Sequence, residues 1–299
     1  MPSVTVVIPT YNRVTFLPAA VESAKHAGSD LEIIVVDDAS TDDTLEVCRR
    51  LTGVRYIRLS RNAGLAAARN TGILTSSAEL VAFLDDDDLR LPGSLDLQIQ
   101  ALEAVPEAAF CYGRLLSAGS RQLPTGGVIP KRCPMGDIFW DLLEQNFVSP
   151  VSVVARKQVL IDCNLFNTEL KRIEDWDLWL RVAEVFPVVA VEEPVAIYRS
   201  ANRDSEQMSS DSISMYRQML RVQEMALQLP RAAAAPHAKR RRARLSLLKL
   251  VYNALVYEAK NALAEGDRGA ARAKSREALR LRPFRARVDP SLLRLLSNP

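Results

Sequence analysis

Three short, mostly apolar and β-branched runs stand in the first third of the chain: Val4-Thr-Val-Val-Ile8, Glu32-Ile-Ile-Val-Val36 and Leu80-Val-Ala-Phe-Leu84. They lack the polar alternation of a half-exposed strand and predict strands buried on both faces. Between them, Val14 to His26 and Thr41 to Leu51 repeat apolar positions at helical spacing, with Ser40 or Thr41 placed to cap the second helix. Such alternation predicts an α/β protein, a mainly parallel sheet flanked by helices. Further along, the pattern predicts a helix from Gly93 to Val105 ended by Pro106, a fourth strand over Ala108-Ala-Phe-Cys-Tyr112, and a helix near Ile138 to Gln145. A strand near Val151 to Ala155 and a helix from Glu174 to Val185 follow. Leu115 to Pro134 carries Gly119, Pro124, Gly126, Gly127, Pro130 and Pro134, and reads as an irregular or hairpin-like surface segment.

After Ser200 the composition changes. Polar residues dominate to Ser214, helical patterns run to about Leu229, and another runs from Lys239 to Ala264. The expected division is an α/β body over residues 1–225 and a basic helical region over 226–299. Charge follows the same division: residues 1–200 carry 19 Lys and Arg against 27 Asp and Glu, a net of −8, whereas 201–299 carry 20 against 9, a net of +11. An acidic body suits metal-bridged phosphate binding, and a basic tail suits an acidic lipid, nucleic acid or protein partner. No run approaches the roughly 18 to 20 apolar residues of a membrane span, and no basic leader precedes the first strand, so a cytoplasmic protein is expected. The four cysteines form no CxxC pair and there are only two histidines, which disfavours zinc and thiol chemistry.

Candidate chemistry gathers where the predicted strands end. Pro9-Thr10-Tyr11-Asn12-Arg13 follows the first, Asp37-Asp38 the second, and the tetrad Asp85 to Asp88 the third. In an open parallel sheet these positions share the edge at which ligands bind. An aromatic can face a base, acids can accept from base N–H groups or ribose hydroxyls, and clustered carboxylates call for a hard cation on a diphosphate. A solvated acidic turn is the plainer account of the tetrad. No glycine-rich phosphate loop follows the first strand, so a diphosphate must be held by the metal.

The series Val7-Ile-Pro-Thr-Tyr-Asn12, Val36-Asp-Asp-Ala-Ser40, Asn62-Ala-Gly-Leu-Ala-Ala-Ala-Arg-Asn70, Phe83-Leu-Asp-Asp-Asp-Asp88 and Glu174-Asp-Trp-Asp-Leu-Trp-Leu-Arg181 resembles, in order and spacing, the family-2 glycosyltransferases of GT-A fold. The resemblance covers residues 3 to 200. It implies an inverting, metal-dependent transfer of a sugar from a nucleotide diphosphate, UDP by default, to a hydroxyl acceptor in polysaccharide or cell-surface glycan assembly. Under it Pro9, Thr10, Tyr11, Arg13, Asp38 and Arg69 would serve the nucleotide, with Tyr11 against the base. Asp86 would meet ribose or sugar, and Asp87 with Asp85 would hold Mn²⁺ or Mg²⁺. Asp175 would be the general base, with Glu174 its neighbour. The plainer reading of these last acids is a helix first turn. Trp179 is expected in the core, and Trp176 is either core or a sugar-stacking surface.

Many relatives carry a histidine shortly after a late Tyr-Arg pair. Here Tyr198-Arg-Ser-Ala-Asn202 has none, leaving Asn202 or Arg203 as substitutes. In the tail, Lys239-Arg-Arg-Arg-Ala-Arg244 followed by Leu245 to Tyr252 reads as a basic amphipathic helix, either lying on an anionic membrane or packed on the body. Ala259 to Pro283 resembles half of a tetratricopeptide repeat. Nucleic acid is not expected as a partner. Two rival readings are a nucleotidyltransferase, which would want an early glycine-rich basic loop, and a transferase-like binding protein with weak or no activity whose tail mediates assembly.

Overall fold

The computed structural model describes residues 1–118, 124–199 and 212–281, with the side chains of 124–126 left aside. Two compact units result: residues 1–142 with 146–210, and residues 143–145 with 211–299.

The first unit is built on one mixed sheet. Its strands are β1 (Val4–Thr10), β2 (Leu31–Asp37), β3 (Val54–Arg58), β4 (Leu80–Phe83), β5 (Leu89–Arg90), β6 (Phe110–Ala118), β7 (Pro124–Ile129), β8 (Val153–Arg156) and β9 (Val189–Arg199). The order is β3-β2-β1-β4-β8-β6-β9-β5, with β7 on β6. From β3 to β4 all pairs are parallel, as the buried runs predict. Beyond β4 the sheet is mixed: β8 runs antiparallel to β4 and β6, while β9 is parallel to β6 and antiparallel to β5. The expectation of a mainly parallel sheet therefore holds for one half only. The predicted hairpin-like segment is the β6–β7 pair.

Helices α1 (Leu17–Lys25), α2 (Thr44–Arg50), α3 (Leu65–Thr75), α4 (Ser94–Glu103), α5 (Phe139–Glu144), α6 (Lys157–Asp162) and α7 (Glu174–Val185) complete the unit. Helix α2 begins three residues later than Thr41, because Ser40 and Thr41 serve a loop instead of capping. Asn12 donates its backbone N–H to the Ser40 hydroxyl at 3.0 Å, and the Thr41 N–H donates to the Asn12 side-chain oxygen at 2.7 Å. Strands β3 and β9 and helix α3 were not expected. The alternating exposure of β3 and the polar interruptions of β9 hide them from a search for apolar runs. Helix α3 lies against β1 through Gly72, where a Cβ would come within 2.2 Å of Val7 Cγ1. Gly72→Ala should therefore cost about 1 to 3 kcal/mol by overpacking, read as a lower urea midpoint at unchanged slope.

Arg90 ties the mixed half together. It is buried with no acidic partner among the described residues, and its guanidinium donates to Gln98 Oε1 at 2.8 Å and to the carbonyls of Phe83 and Val153 at 3.2 and 3.0 Å. Burial pulls its pKa down to about 9.

The second unit contains α8 (Ser212–Ala226), α9 (Pro230–Ala233), α10 (His237–Ala264) and α11 (Arg268–Leu281). Leu247, Val251, Leu255 and Ala259 of α10 recur every fourth residue and are buried. Glu258 accepts from Tyr216 and Lys274, each at 2.6 Å, and Arg217 donates to both oxygens of Glu277 at 2.7 and 2.8 Å. Residues 143–145 belong to this unit: Gln223 donates to the carbonyls of Leu143 at 2.7 Å and Ala243 at 3.0 Å, and Ser246 donates to Glu144 at 3.0 Å.

Candidate active site

The register brings the strand ends together, since Thr10 pairs with Asp37 and Val7 with Phe83. The peptide therefore turns off β1, β2 and β4 at one edge, where Pro9, Thr10, Asp38 and the aspartate tetrad all lie. Tyr11 stands at the lip, 43% exposed. Asp38 is buried and accepts from the N–H groups of Ala63 and Gly64 at 2.7 and 2.8 Å, so it fixes the loop that opens α3. Its neighbour Asp37 accepts from Ser40 N–H at 2.8 Å and Tyr56 Oη at 2.5 Å.

Each tetrad member has a partner, and Arg199 serves two of them. Asp85 accepts from Arg69 Nη2 at 2.6 Å, and Asp86 from the Thr10 hydroxyl at 2.7 Å. Asp87 accepts from Arg13 Nη1 at 2.6 Å and Arg199 Nη2 at 2.8 Å. Asp88 accepts from the Arg199 N–H at 2.8 Å through one oxygen, while its other oxygen is buried with no partner among the described residues. Burial pushes Asp86 up to about 7, against the Thr10 hydrogen bond and Arg13, and burial with Asp85 and Asp87 lifts Asp88 well above the carboxylate range.

Arg69 connects the two acidic centres. Its side chain is 2% exposed, and its Nη1 donates to Glu174 Oε1 at 2.7 Å while Nη2 holds Asp85. It is a buried bridge, not the surface ion pair that an arginine suggests by default. Burial works against its charge, but Asp85 and Glu174 outweigh it and hold the guanidinium protonated. Helix α7 starts at Glu174 after Ile173, which adopts φ 63°, and this turn delivers Asp175 beside Glu174. Asp175 is half-buried, and burial and then Glu174 push it up to about 7 against Arg69 and the hydrogen bonds of Trp176 N–H and Asn146. Such a value suits a base that must be free at neutral pH yet able to take a proton.

Both tryptophans of the segment are core. Trp176 is fully buried with Nε1 donating to the Leu142 carbonyl at 2.8 Å, and Trp179 packs on Phe110 with ring centroids 5.1 Å apart. Sequence reasoning missed Arg199, whose guanidinium lies 3.9 Å from the centre of the Phe16 ring while it holds Asp87. The signal was present in the Tyr198-Arg199 pair. Asn202 and Arg203 lie outside the described residues.

Among the described residues no three acidic, histidine or cysteine side chains converge as a ready cage for a metal. The donor chemistry nevertheless fits a hard cation, because Mn²⁺ or Mg²⁺ on a diphosphate needs only one or two protein carboxylates and takes the rest from phosphate and water. Asp85 and Asp87 supply such oxygens, and the orphaned oxygen of Asp88 marks an excess of acceptors.

A model of glycosyl transferase family 2 matches residues 5–160. The chain belongs to that family. The Glu174-Asp175 segment lies just beyond the matched stretch. A relative from Rickettsia felis, described as an uncharacterized glycosyltransferase, is 26% identical over 230 residues, which cover 71% of this chain and only 35% of the relative. The Escherichia coli UDP-Glc:alpha-D-GlcNAc-diphosphoundecaprenol beta-1,3-glucosyltransferase WfgD is 28% identical over 183 residues, or 60% of this chain and 69% of WfgD. The fold is GT-A. Crystalline S. aureus TarS 1–349 in complex with UDP superposes with a TM-score of 0.63 at 16% identity, covering 94% of this chain and 81% of TarS. The Pyrobaculum calidifontis mannosyltransferase PcManGT, solved with GDP-Man and Mn²⁺, gives 0.58 at 17% identity, covering 94% and 86%. No helix among the described residues is long and apolar enough to cross a membrane.

Proposed function

We propose that this glycosyltransferase moves a sugar, with inversion, from a UDP-sugar to a hydroxyl of a lipid-linked glycan. The observation that carries the reading is the Arg69 bridge, which puts the tetrad and the Glu174-Asp175 pair at the two ends of one buried guanidinium. Thr10, Tyr11 and Asp38 flank the nucleotide, and Arg13 and Asp86 lie between it and the sugar. The acceptor oxygen bonds to the anomeric carbon as the bond from that carbon to the β-phosphate oxygen breaks. Asp175 takes the hydroxyl proton and the nucleotide diphosphate leaves on the opposite face. Asp85 and Asp87 would hold a divalent cation, which supplies neutralisation of the diphosphate charge when bound. WfgD, by its name, uses UDP-Glc and a diphosphoundecaprenol-linked acceptor, which supports the same substrate class here.

The buried apolar stripe of α10 is not free to enter lipid, but Lys239, Arg241, Arg242, Arg244 and Lys249 remain exposed. Peripheral contact with an anionic membrane would use these charges. Transfer assays with UDP-sugars and an undecaprenyl-diphosphate-linked acceptor test the activity, and absence of transfer with every UDP-sugar would refute the donor assignment. Asp87→Asn should weaken Mn²⁺-dependent UDP binding to the upper end of the roughly 10- to 100-fold range seen for damaged metal sites. Calorimetric titration with and without Mn²⁺ reads this directly, and unchanged affinity would remove Asp87 from the role.

A further inference from the structure

We infer that Asn146 is a positioning residue for Asp175, and that it selects which oxygen of that carboxylate receives the acceptor proton. The inference rests on Asp175 being the base. Asn146 lies just after α5 and donates from Nδ2 to Asp175 Oδ2 at 3.2 Å. Its other end is committed, because the side-chain oxygen accepts the Val148 N–H at 3.1 Å. That second bond fixes the amide orientation, since a flipped amide would set its NH₂ group against the Val148 N–H. The donor therefore faces Asp175 by necessity.

Two consequences follow for the carboxylate. With Oδ2 bonded to the amide, Oδ1 is the oxygen this side-chain donor leaves to the acceptor hydroxyl, and the rotation of the side chain is limited. A neutral donor also favours the ionised form without adding charge. The groups facing Asp175 are Glu174 and the Trp176 N–H on its own helix, Arg69 of α3 with its partner Asp85, Tyr198 of β9, and Asn146. Of these, Glu174 raises the pKa and Arg69 is shared between two other acids. Asn146 is the side chain of this set that donates a hydrogen bond to Asp175.

Asn146→Asp isolates the effect, because it keeps an oxygen for the Val148 N–H and replaces the donor by an acceptor. Turnover at pH 7 should fall about 10- to 100-fold with donor KM unchanged, a loss confined to the chemical step. The rising limb of the turnover-pH profile should move up by about one unit or more, since a like charge now faces the base. Asn146→Gln, which retains a donor, should keep the parental limb. In the Asp175→Asn background, Asn146→Asp should add little further loss. A parental pH profile in Asn146→Asp, with Asp175→Asn inactive, would overturn the positioning role and leave the base standing. Parental turnover in Asp175→Asn would overturn the base itself. A purely structural role for Asn146 would lower the unfolding midpoint without moving the limb, and that result too counts against the inference.

Discussion

Asp175→Asn is expected to bind UDP and UDP-sugar as tightly as the parent and to turn over about 10² to 10⁴-fold more slowly, the range for loss of a general base. Donor affinity should persist because the groups placed at the nucleotide lie on β1, on α3 or in the loops after β1, β2 and β4, and none lies on α7. Parallel calorimetry and transfer rates check both halves. The parent should show turnover rising with pH to a plateau above about 7, the value to which burial and Glu174 lift Asp175. Stability should run the other way. The folded chain keeps a proton that the unfolded chain releases near the ordinary carboxylate pKa of about 4, so stability falls as pH rises from there to about 7. Asp175→Asn removes that cost and should raise the urea midpoint relative to the parent at pH 8 but not at pH 4. An equal effect at both pH values would contradict the raised pKa.

Arg69→Met is expected to be the most damaging change to stability. It leaves Glu174 buried with no guanidinium at 2.7 Å and strips Asp85 of its partner at 2.6 Å, at a cost of about 3 to 5 kcal/mol. Urea unfolding at pH 7 measures the loss, and acidification should recover part of it as the stranded carboxylates take up protons. Arg69→Lys should fall between, since one ammonium cannot serve both acids in the fork geometry. A parental midpoint for Arg69→Met would show that the bridge contributes nothing to folding.

Arg69 was reached only through the family resemblance, whereas those two acids were legible in the sequence because their identities are chemically unusual in their places: a carboxylate run after an apolar strand, and paired acids opening a helix. Residues such as Arg199 and Asn146 were not. A single arginine or asparagine carries no pattern, and its role appears only when distant strands pair. The parallel half of the sheet was readable from runs of buried Val and Ile, whereas β9 was obscured by the Glu192-Glu193-Pro194 interruption, which coincides with register shifts against β6. Ser40 and Thr41 showed the opposite failure: good capping chemistry by local rules, taken over by Asn12 from a different strand end.

The excursion of residues 143–145 into the helical unit bears on how such a protein can change. Glu144 answers to Ser246 and Arg242, about a hundred positions along the chain, and the Leu143 carbonyl answers to Gln223. A helical unit whose own fold includes three residues from the middle of the transferase is not a detachable tail. It cannot be exchanged for another by a single crossover in the gene, and a graft that copies only the C-terminal helices would leave Leu143 and Glu144 facing strangers, two or three residues before Asn146.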